Sequence, residues 1–180
     1  MSKIELIRIT NPNNKTGKEA LQIYEEAFPV EEKRPIEKHI KLMQENSLFR
    51  FYAAMKGQKV IGMLVVWELS DFIYIDYLAT SPNHRNKGYG KMIMEQLQQS
   101  SAGLMVLEVE MPDCDLAKRR IEFYTRLGFN LLDFPYFMPK YNNPNEPYPM
   151  LLMSFPNKID NDMCKHVMTQ IHLNAYNAKV

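Results

Sequence analysis

Apolar positions fall at two spacings along this chain, and the alternation between them sets out the elements. Ile4-Glu5-Leu6-Ile7-Arg8-Ile9 reads as a strand, closed by the turn chemistry of Asn11-Pro12-Asn13-Asn14. Ala20, Leu21, Ile23, Tyr24, Ala27 and Phe28 then recur at helical spacing, with Thr16 and Glu19 placed as a capping box and Pro29 as the stop. A second helix is predicted after Pro35, with Ile36, Ile40 and Met43 on one face. Three strands follow: Phe49–Met55, Val60–Leu69 and Phe72–Thr80. The hairpin turn Lys56-Gly57-Gln58-Lys59 joins the first two. The middle strand is apolar on both faces, as a central strand should be. In the third, the period of two puts Ile73, Ile75, Tyr77 and Ala79 on one face and Phe72, Tyr74, Asp76, Leu78 and Thr80 on the other.

Tyr89, Met92, Ile93 and Leu97 predict the buried stripe of a helix that ends near Gly103, and Leu104–Glu110 is a further strand. Asp115 is placed as the N-cap of a helix over Leu116–Leu127, with Gly128 just past its end. Phe129–Asp133 reads as a short strand, Pro135–Pro149 as a long loop, Met150–Phe155 as a last strand and Asp160–Tyr176 as a C-terminal helix. The early strands form an antiparallel meander, whereas Phe72 to Glu110 is a strand–helix–strand crossover, which makes a parallel pair. The fold class expected is therefore α/β with a mixed sheet and flanking helices.

Composition narrows the picture only a little. The 180 residues suit a single domain, 1–180, with the helix at about 160–176 as an appendage. A formal net charge of +1 gives no reason to expect nucleic acid or a membrane as partner. Two cysteines, Cys114 and Cys164, make no disulfide framework, charges interrupt the first eight residues, and the apolar runs are short, so a cytoplasmic setting is expected. A homodimer is left open.

The segment Arg85-Asn86-Lys87-Gly88-Tyr89-Gly90-Lys91 lies between a predicted strand and a predicted helix. The first amides of a helix lack intrahelical partners and carry partial positive charge. Gly88 and Gly90 let the backbone turn and let a ligand approach it, and Arg85, Lys87 and Lys91 add positive charge. This is the chemistry of a phosphate or pyrophosphate site, although the spacing matches neither the P-loop nor the dinucleotide fingerprint. A glycine-bearing turn with solvated basic residues is the plain alternative.

Arg85-x-x-Gly88-x-Gly90, preceded by Ile75-Asp76-Tyr77-Leu78-Ala79-Thr80-Ser81-Pro82, resembles the pyrophosphate motif of the GNAT superfamily of N-acetyltransferases. Phe123-Tyr124-Thr125-Arg126-Leu127-Gly128-Phe129 resembles the family's helix ending in Tyr-x-x-x-Gly-Phe. The resemblance covers roughly Ile4 to Phe155. It implies the GNAT fold, with acetyl-CoA bound in a V-shaped cleft where two parallel strands splay. Backbone groups of Leu78, Ala79 and Thr80 would pair with the pantetheine arm, and amides from Arg85 to Lys91 would hold the pyrophosphate. The same resemblance makes Tyr124 the general acid toward the departing thiolate and Glu108 the base for an amine acceptor, with no metal. Ala117 departs from the family pattern, which commonly has asparagine seven residues before the tyrosine.

Glu110, Asp76 and Glu68 are further carboxylate candidates, and solvated or capping roles compete with catalysis at each. Together they suggest an acceptor that is cationic before deprotonation. Arg120 falls on the apolar stripe of its helix, where it would reach a phosphate, reach a carboxylate, or snorkel to water. His39, His84, His166 and His172 form no pair at i, i+4 spacing. The aromatic loop Tyr136–Tyr141 and Pro147–Pro149 is the expected place of acceptor recognition. A non-catalytic acyl-CoA sensor is the rival reading.

Overall fold

The computed structural model describes residues 4–30, 32–139 and 146–178. The strands are β1 (Glu5–Arg8), β2 (Phe49–Lys56), β3 (Lys59–Glu68), β4 (Phe72–Thr80), β5 (Leu104–Glu110), β6 (Asn130–Leu131), β7 (Tyr136–Met138) and β8 (Tyr148–Phe155). The helices are α1 (Lys15–Ala27), α2 (Ile36–Glu45), α3 (Tyr89–Ser100), α4 (Asp115–Arg126) and α5 (Asn161–Asn174). The sheet is mixed, with one parallel pair, in the order β1-β2-β3-β4-β5-β8-β6, and β7 pairs with β8. This is the mixed α/β architecture expected from the sequence. The chain divides into two compact units, 1–68 with 75–102, and 69–74 with 103–180.

In the first unit, β1, β2 and β3 form the antiparallel meander, with Phe49 opposite Trp67 and Phe51 opposite Val65. β3, the strand in the middle of the sheet, is buried on both faces from Val60 to Trp67, which explains its unbroken apolar run. One face of β2 is covered by α2, whose His39 meets the edges of Phe49 and Phe51 at 5.1 and 5.2 Å between ring centroids. The same face receives Tyr24 of α1, edge-on to Tyr77 at 4.9 Å. The opposite face takes α3 closely: a Cβ on Gly62 would lie 2.9 Å from Ile93 Cδ1 and 2.6 Å from the Ala79 carbonyl oxygen. Only glycine allows that approach.

In the second unit, β8 pairs antiparallel with β5, β6 and β7, and α4 packs on β5 and β6. Asp160 caps α5 by accepting from Met163 N, and Cys164, Val167 and Ile171 form the buried side of that helix.

Four local expectations need correction. The cap of α1 is Asn14, which accepts from Gly17 N at 2.7 Å, and not Thr16, which lies one residue inside the helix. Asp115 is the first residue of α4 rather than its cap, where its charge still suits the first turn. The buried side of α3 is Ile93, Met94 and Leu97, while Tyr89 and Met92 are only partly covered. The span Pro135–Pro149 is not one loop. Tyr136–Met138 pairs with Tyr148–Met150, and these backbone bonds are made by partners too distant in sequence for local patterns to register. Residues 140–145, part of the expected recognition loop, lie outside the described residues.

Candidate active site

The glycine loop of the first unit is built as a helix entrance. Ser81 N, just after β4, donates to the Ile61 carbonyl at 2.9 Å, and a single 3-10 turn spans Pro82–His84. The backbone then passes through two left-handed residues, Asn86 at φ 60° and Gly88 at φ 76°. Asparagine and glycine are the residues that tolerate this region. The first helical bond of α3 runs from Met92 N to Gly88 O, so the amides of Tyr89, Gly90 and Lys91 come before any intrahelical acceptor. A Cβ on Gly88 would meet nothing within 4 Å. Crowding therefore does not select glycine here; conformation does, and the space above it is open to a ligand. Arg85 and Lys87 are exposed beside it, with Lys87 Nζ donating to Asn83 O at 2.9 Å and Lys91 pairing with Glu95 at 3.5 Å. Lys56, absent from the sequence reading, donates to the Tyr89 hydroxyl at 2.7 Å and lies 5.0 Å from its ring centroid. Of the three β4 residues expected to face a pantetheine arm, Ala79 is buried and Leu78 and Thr80 are partly exposed.

Two of the candidate carboxylates in this unit are committed to structural pairs. Asp76 accepts from Arg34 Nη2 at 3.0 Å and from Trp67 Nε1 at 2.9 Å, with the Arg34 and Asp76 side chains 3% and 2% exposed. The Arg34 guanidinium lies 5.6, 5.8 and 5.9 Å from the rings of Trp67, Phe49 and Tyr77. Tyr24 O–H donates to the Arg34 carbonyl, and Arg34 N donates to the Tyr77 hydroxyl. The sequence reading passed over Arg34 because it sits among Glu31, Glu32 and Lys33, a run that reads as solvated. Glu68 pairs with Arg50 at 2.7 Å.

In the second unit Glu108 is the centre of a cluster. Tyr176 O–H donates to its Oε2 at 2.6 Å, Tyr74 O–H donates to the same oxygen at 3.0 Å, and Tyr136 O–H donates to Oε1. Three elements thus converge on one carboxylate: the start of β4, β7, and the residue two beyond α5. His172 of α5 lies beside the cluster, its ring 5.5 Å from Tyr136 and 6.3 Å from Tyr176. Burial lowers its proton affinity, and a hydrogen bond to the Phe137 backbone opposes that shift.

Tyr124 is buried, with its ring 5.0 Å from Phe123 and 5.7 Å from Phe129. Burial pushes its phenol up to about 12, with Arg120 lowering it and Glu110 raising it. A phenol so placed stays protonated near neutrality and is able to act as an acid. Arg120, one helical turn earlier, donates to Glu110 Oε1, so of its three expected destinations the carboxylate holds. Glu110 Oε2 is buried and has no hydrogen-bond partner among the described residues. Ala117, where the family commonly has asparagine, is buried on the same helix.

A family model described as acetyltransferase (GNAT) matches residues 17–129, more than half of the 180. The chain belongs to the acetyltransferase (GNAT) family. The GNAT match includes the glycine loop, Glu108 and Tyr124, whereas Tyr136, His172 and Tyr176 lie beyond it. Among relatives, the chain is 32% identical over 106 residues to the Bacillus subtilis protein named "Putative acetyltransferase YjbC", covering 58% of this chain and 53% of that one. The chain thus spans about half the length of that relative. A structure titled "Putative acetyltransferase from GNAT family" from Bacteroides thetaiotaomicron superposes with a TM-score of 0.92 at 31% identity, over 97% of this chain and 99% of that one. A GNAT acetyltransferase from Elizabethkingia anophelis with acetyl-CoA bound has a TM-score of 0.57 at 13% identity, over 86% and 98% of the two chains, which is a likeness of fold alone. No helix among the described residues is long and apolar enough to cross a membrane.

Proposed function

We propose that this GNAT chain transfers an acetyl group from acetyl-CoA to a primary amine. The observation that carries the reading is the entrance to α3. Left-handed Asn86 and Gly88 turn the backbone into α3, whose first helical bond starts only at Met92 N, so the amides of Tyr89, Gly90 and Lys91 precede any intrahelical acceptor, near the exposed Arg85 and Lys87. That arrangement suits a pyrophosphate. Leu78, Ala79 and Thr80 would line the pantetheine arm by their backbone groups. The relative from Elizabethkingia anophelis, which shares the fold, holds acetyl-CoA.

Acetyl-CoA supplies the activated acyl group. Tyr124 would return a proton to the departing thiolate, and its buried, protonated phenol suits that task. Glu108 would receive the proton that the amine sheds as its lone pair attacks. The carboxylates of β5 favour an amine that arrives as its cation.

A rival reading has one observation behind it. Both oxygens of Glu108 already accept phenolic hydrogen bonds, as they would in a binding module without turnover. Thiol release separates the two readings. The wild-type chain, given acetyl-CoA and a panel of alkylamines, aminoglycosides, amino acids and peptide N-termini, should release free thiol with some member. Tyr124→Phe should lower kcat about 100-fold with KM for acetyl-CoA unchanged. Acetyl-CoA binding with no thiol release from any member, and no difference between wild type and Tyr124→Phe, would favour the binding module.

A further inference from the structure

To take the amine's proton, Glu108 must come within hydrogen-bond reach of the amine nitrogen. Both of its oxygens already hold phenols. Tyr136 O–H donates to Oε1, while Tyr176 and Tyr74 donate to Oε2 at 2.6 and 3.0 Å. The Tyr74 and Tyr176 hydroxyls are 3.4 Å apart, crowded on one oxygen. An amine that reaches Glu108 therefore competes with hydroxyls already seated there.

The three phenols are not equally able to yield. Tyr74 and Tyr136 are strand residues, 1% and 2% exposed, and close packing leaves their rings no room to turn. Tyr136 is further fixed by the pairing of its strand, opposite Met150. Tyr176 is partly exposed and lies past the end of α5. The backbone there turns through left-handed Asn177, at φ 52°, and Ala178 N donates back to His172 O at 2.9 Å. The ring of Tyr176 meets that of His172 edge-on, with 88° between planes at 6.3 Å. Its side chain thus runs from the solvent side to Glu108, which is itself partly exposed. When the ring swings out, the path it occupied leads to Oε2.

We infer that Tyr176 holds the acceptor's place on Glu108, and that the amine binds by displacing its hydroxyl from Oε2. The inference rests on the acetyl-transfer reading above. One N–H···O bond replaces one O–H···O bond, and the Tyr176 hydroxyl turns to water. Tyr74 and Tyr136 stay, holding the carboxylate in orientation and favouring its charged form. The exchange also selects among acceptors. An amine arriving as its cation gains a bond in which both partners are charged, whereas an alcohol only trades one neutral hydroxyl for another. Tyr176 therefore favours amines over hydroxyl acceptors at this carboxylate. It lies beyond the segment 17–129 that matches the family, so the match itself does not predict this role.

The test uses the full chain and the panel amine that wild type acetylates fastest. Tyr176→Phe keeps the ring and removes the hydroxyl, and Tyr176→Ala removes both. At least one of them should raise kcat/KM for the amine about tenfold, through a lower KM, with the Kd for acetyl-CoA unchanged. A merely structural tyrosine would not give a gain. Tyr136→Phe removes a donor that stays with the carboxylate, and should lower kcat/KM instead. A KM for the amine that is unchanged or raised in both Tyr176 variants would overturn the inference. A second measurement needs no turnover and keeps the tyrosine. With 3-fluorotyrosine at position 176 and CoA bound, adding the amine should move the fluorine resonance toward that of a water-exposed tyrosine. A resonance that stays put while calorimetry shows the amine binding would also overturn it. Either negative result, with thiol release intact in wild type, sinks this inference alone. Absence of thiol release from wild type with every amine would sink the acetyl-transfer reading beneath it.

Discussion

Gly62→Ala gives a sharp test of how the fold shapes the proposed acetyl-CoA strand. The added methyl would lie 2.6 Å from the Ala79 carbonyl oxygen, 2.9 Å from Ile93 Cδ1 and 3.4 Å from Thr80 Cα. The isoleucine can turn aside. The two backbone atoms of β4 cannot move without shifting the strand. Overpacking of this kind costs about 1–3 kcal/mol. At about 2 kcal/mol the melting temperature should fall by about 4–8 °C for a chain of this size. The functional consequence is more specific. Ala79 and Thr80 are the residues whose backbone is proposed to meet the pantetheine arm, so the Kd for acetyl-CoA should rise about tenfold. Gly57→Ala is the control: it lies at φ 59° in the β2–β3 turn with nothing within 4 Å of its Cβ. It should cost about 1 kcal/mol through the left-handed conformation alone, with Kd unchanged. Calorimetric melting and acetyl-CoA titration of both variants would decide. Equal Kd values for wild type and Gly62→Ala, alongside the expected loss of stability, would refute the placement of the arm on β4. No loss of stability would refute the packing argument itself.

Arg34→Met leaves the Asp76 carboxylate buried without its guanidinium, and should destabilise the chain by about 3–5 kcal/mol in urea unfolding. Arg34→Met with Asp76→Asn should recover much of that loss. His39 is buried against aromatic rings, and burial holds its proton affinity well below the ordinary value of 6.5. As pH falls the unfolded chain takes up that proton first. The contribution of neutral His39 to stability is therefore complete above 6.5 and declines as pH drops from there toward the folded value. His39→Phe should flatten that decline in melting temperature measured between about pH 6.5 and 5, and an unchanged slope would contradict it.

Much of the fold lay open in local patterns. β4 is read from the sequence with its observed ends, because turn residues bound a clean period of two. The glycine loop is read in place because a helix entrance with a left-handed glycine is a local device. What escaped depends on pairing across the chain. Tyr-Phe-Met between prolines gives no strand signal of its own, and becomes β7 only by bonding to Tyr148–Met150. Arg34 looks like one more charge in a polar run until Asp76 and three rings enclose it. Glu108 could be picked out as a carboxylate on β5, but no spacing tells that tyrosines 34 residues before it, 28 after it and 68 after it share its oxygens. His172 reads as one more polar residue of a helix until its neighbours are placed.

The central claim is that the entrance to α3 holds the pyrophosphate of acetyl-CoA. Isothermal titration of acetyl-CoA into wild type and into Gly88→Asp tests it most directly. Asp at this position brings a carboxylate into the open space over the helix amides, in a conformation that strains the backbone without crowding any neighbour. Saturable binding to wild type, lost by at least 100-fold in a Gly88→Asp variant that still melts cooperatively, is the expected result. Equal affinity in the two proteins, or no binding to wild type, would contradict the account.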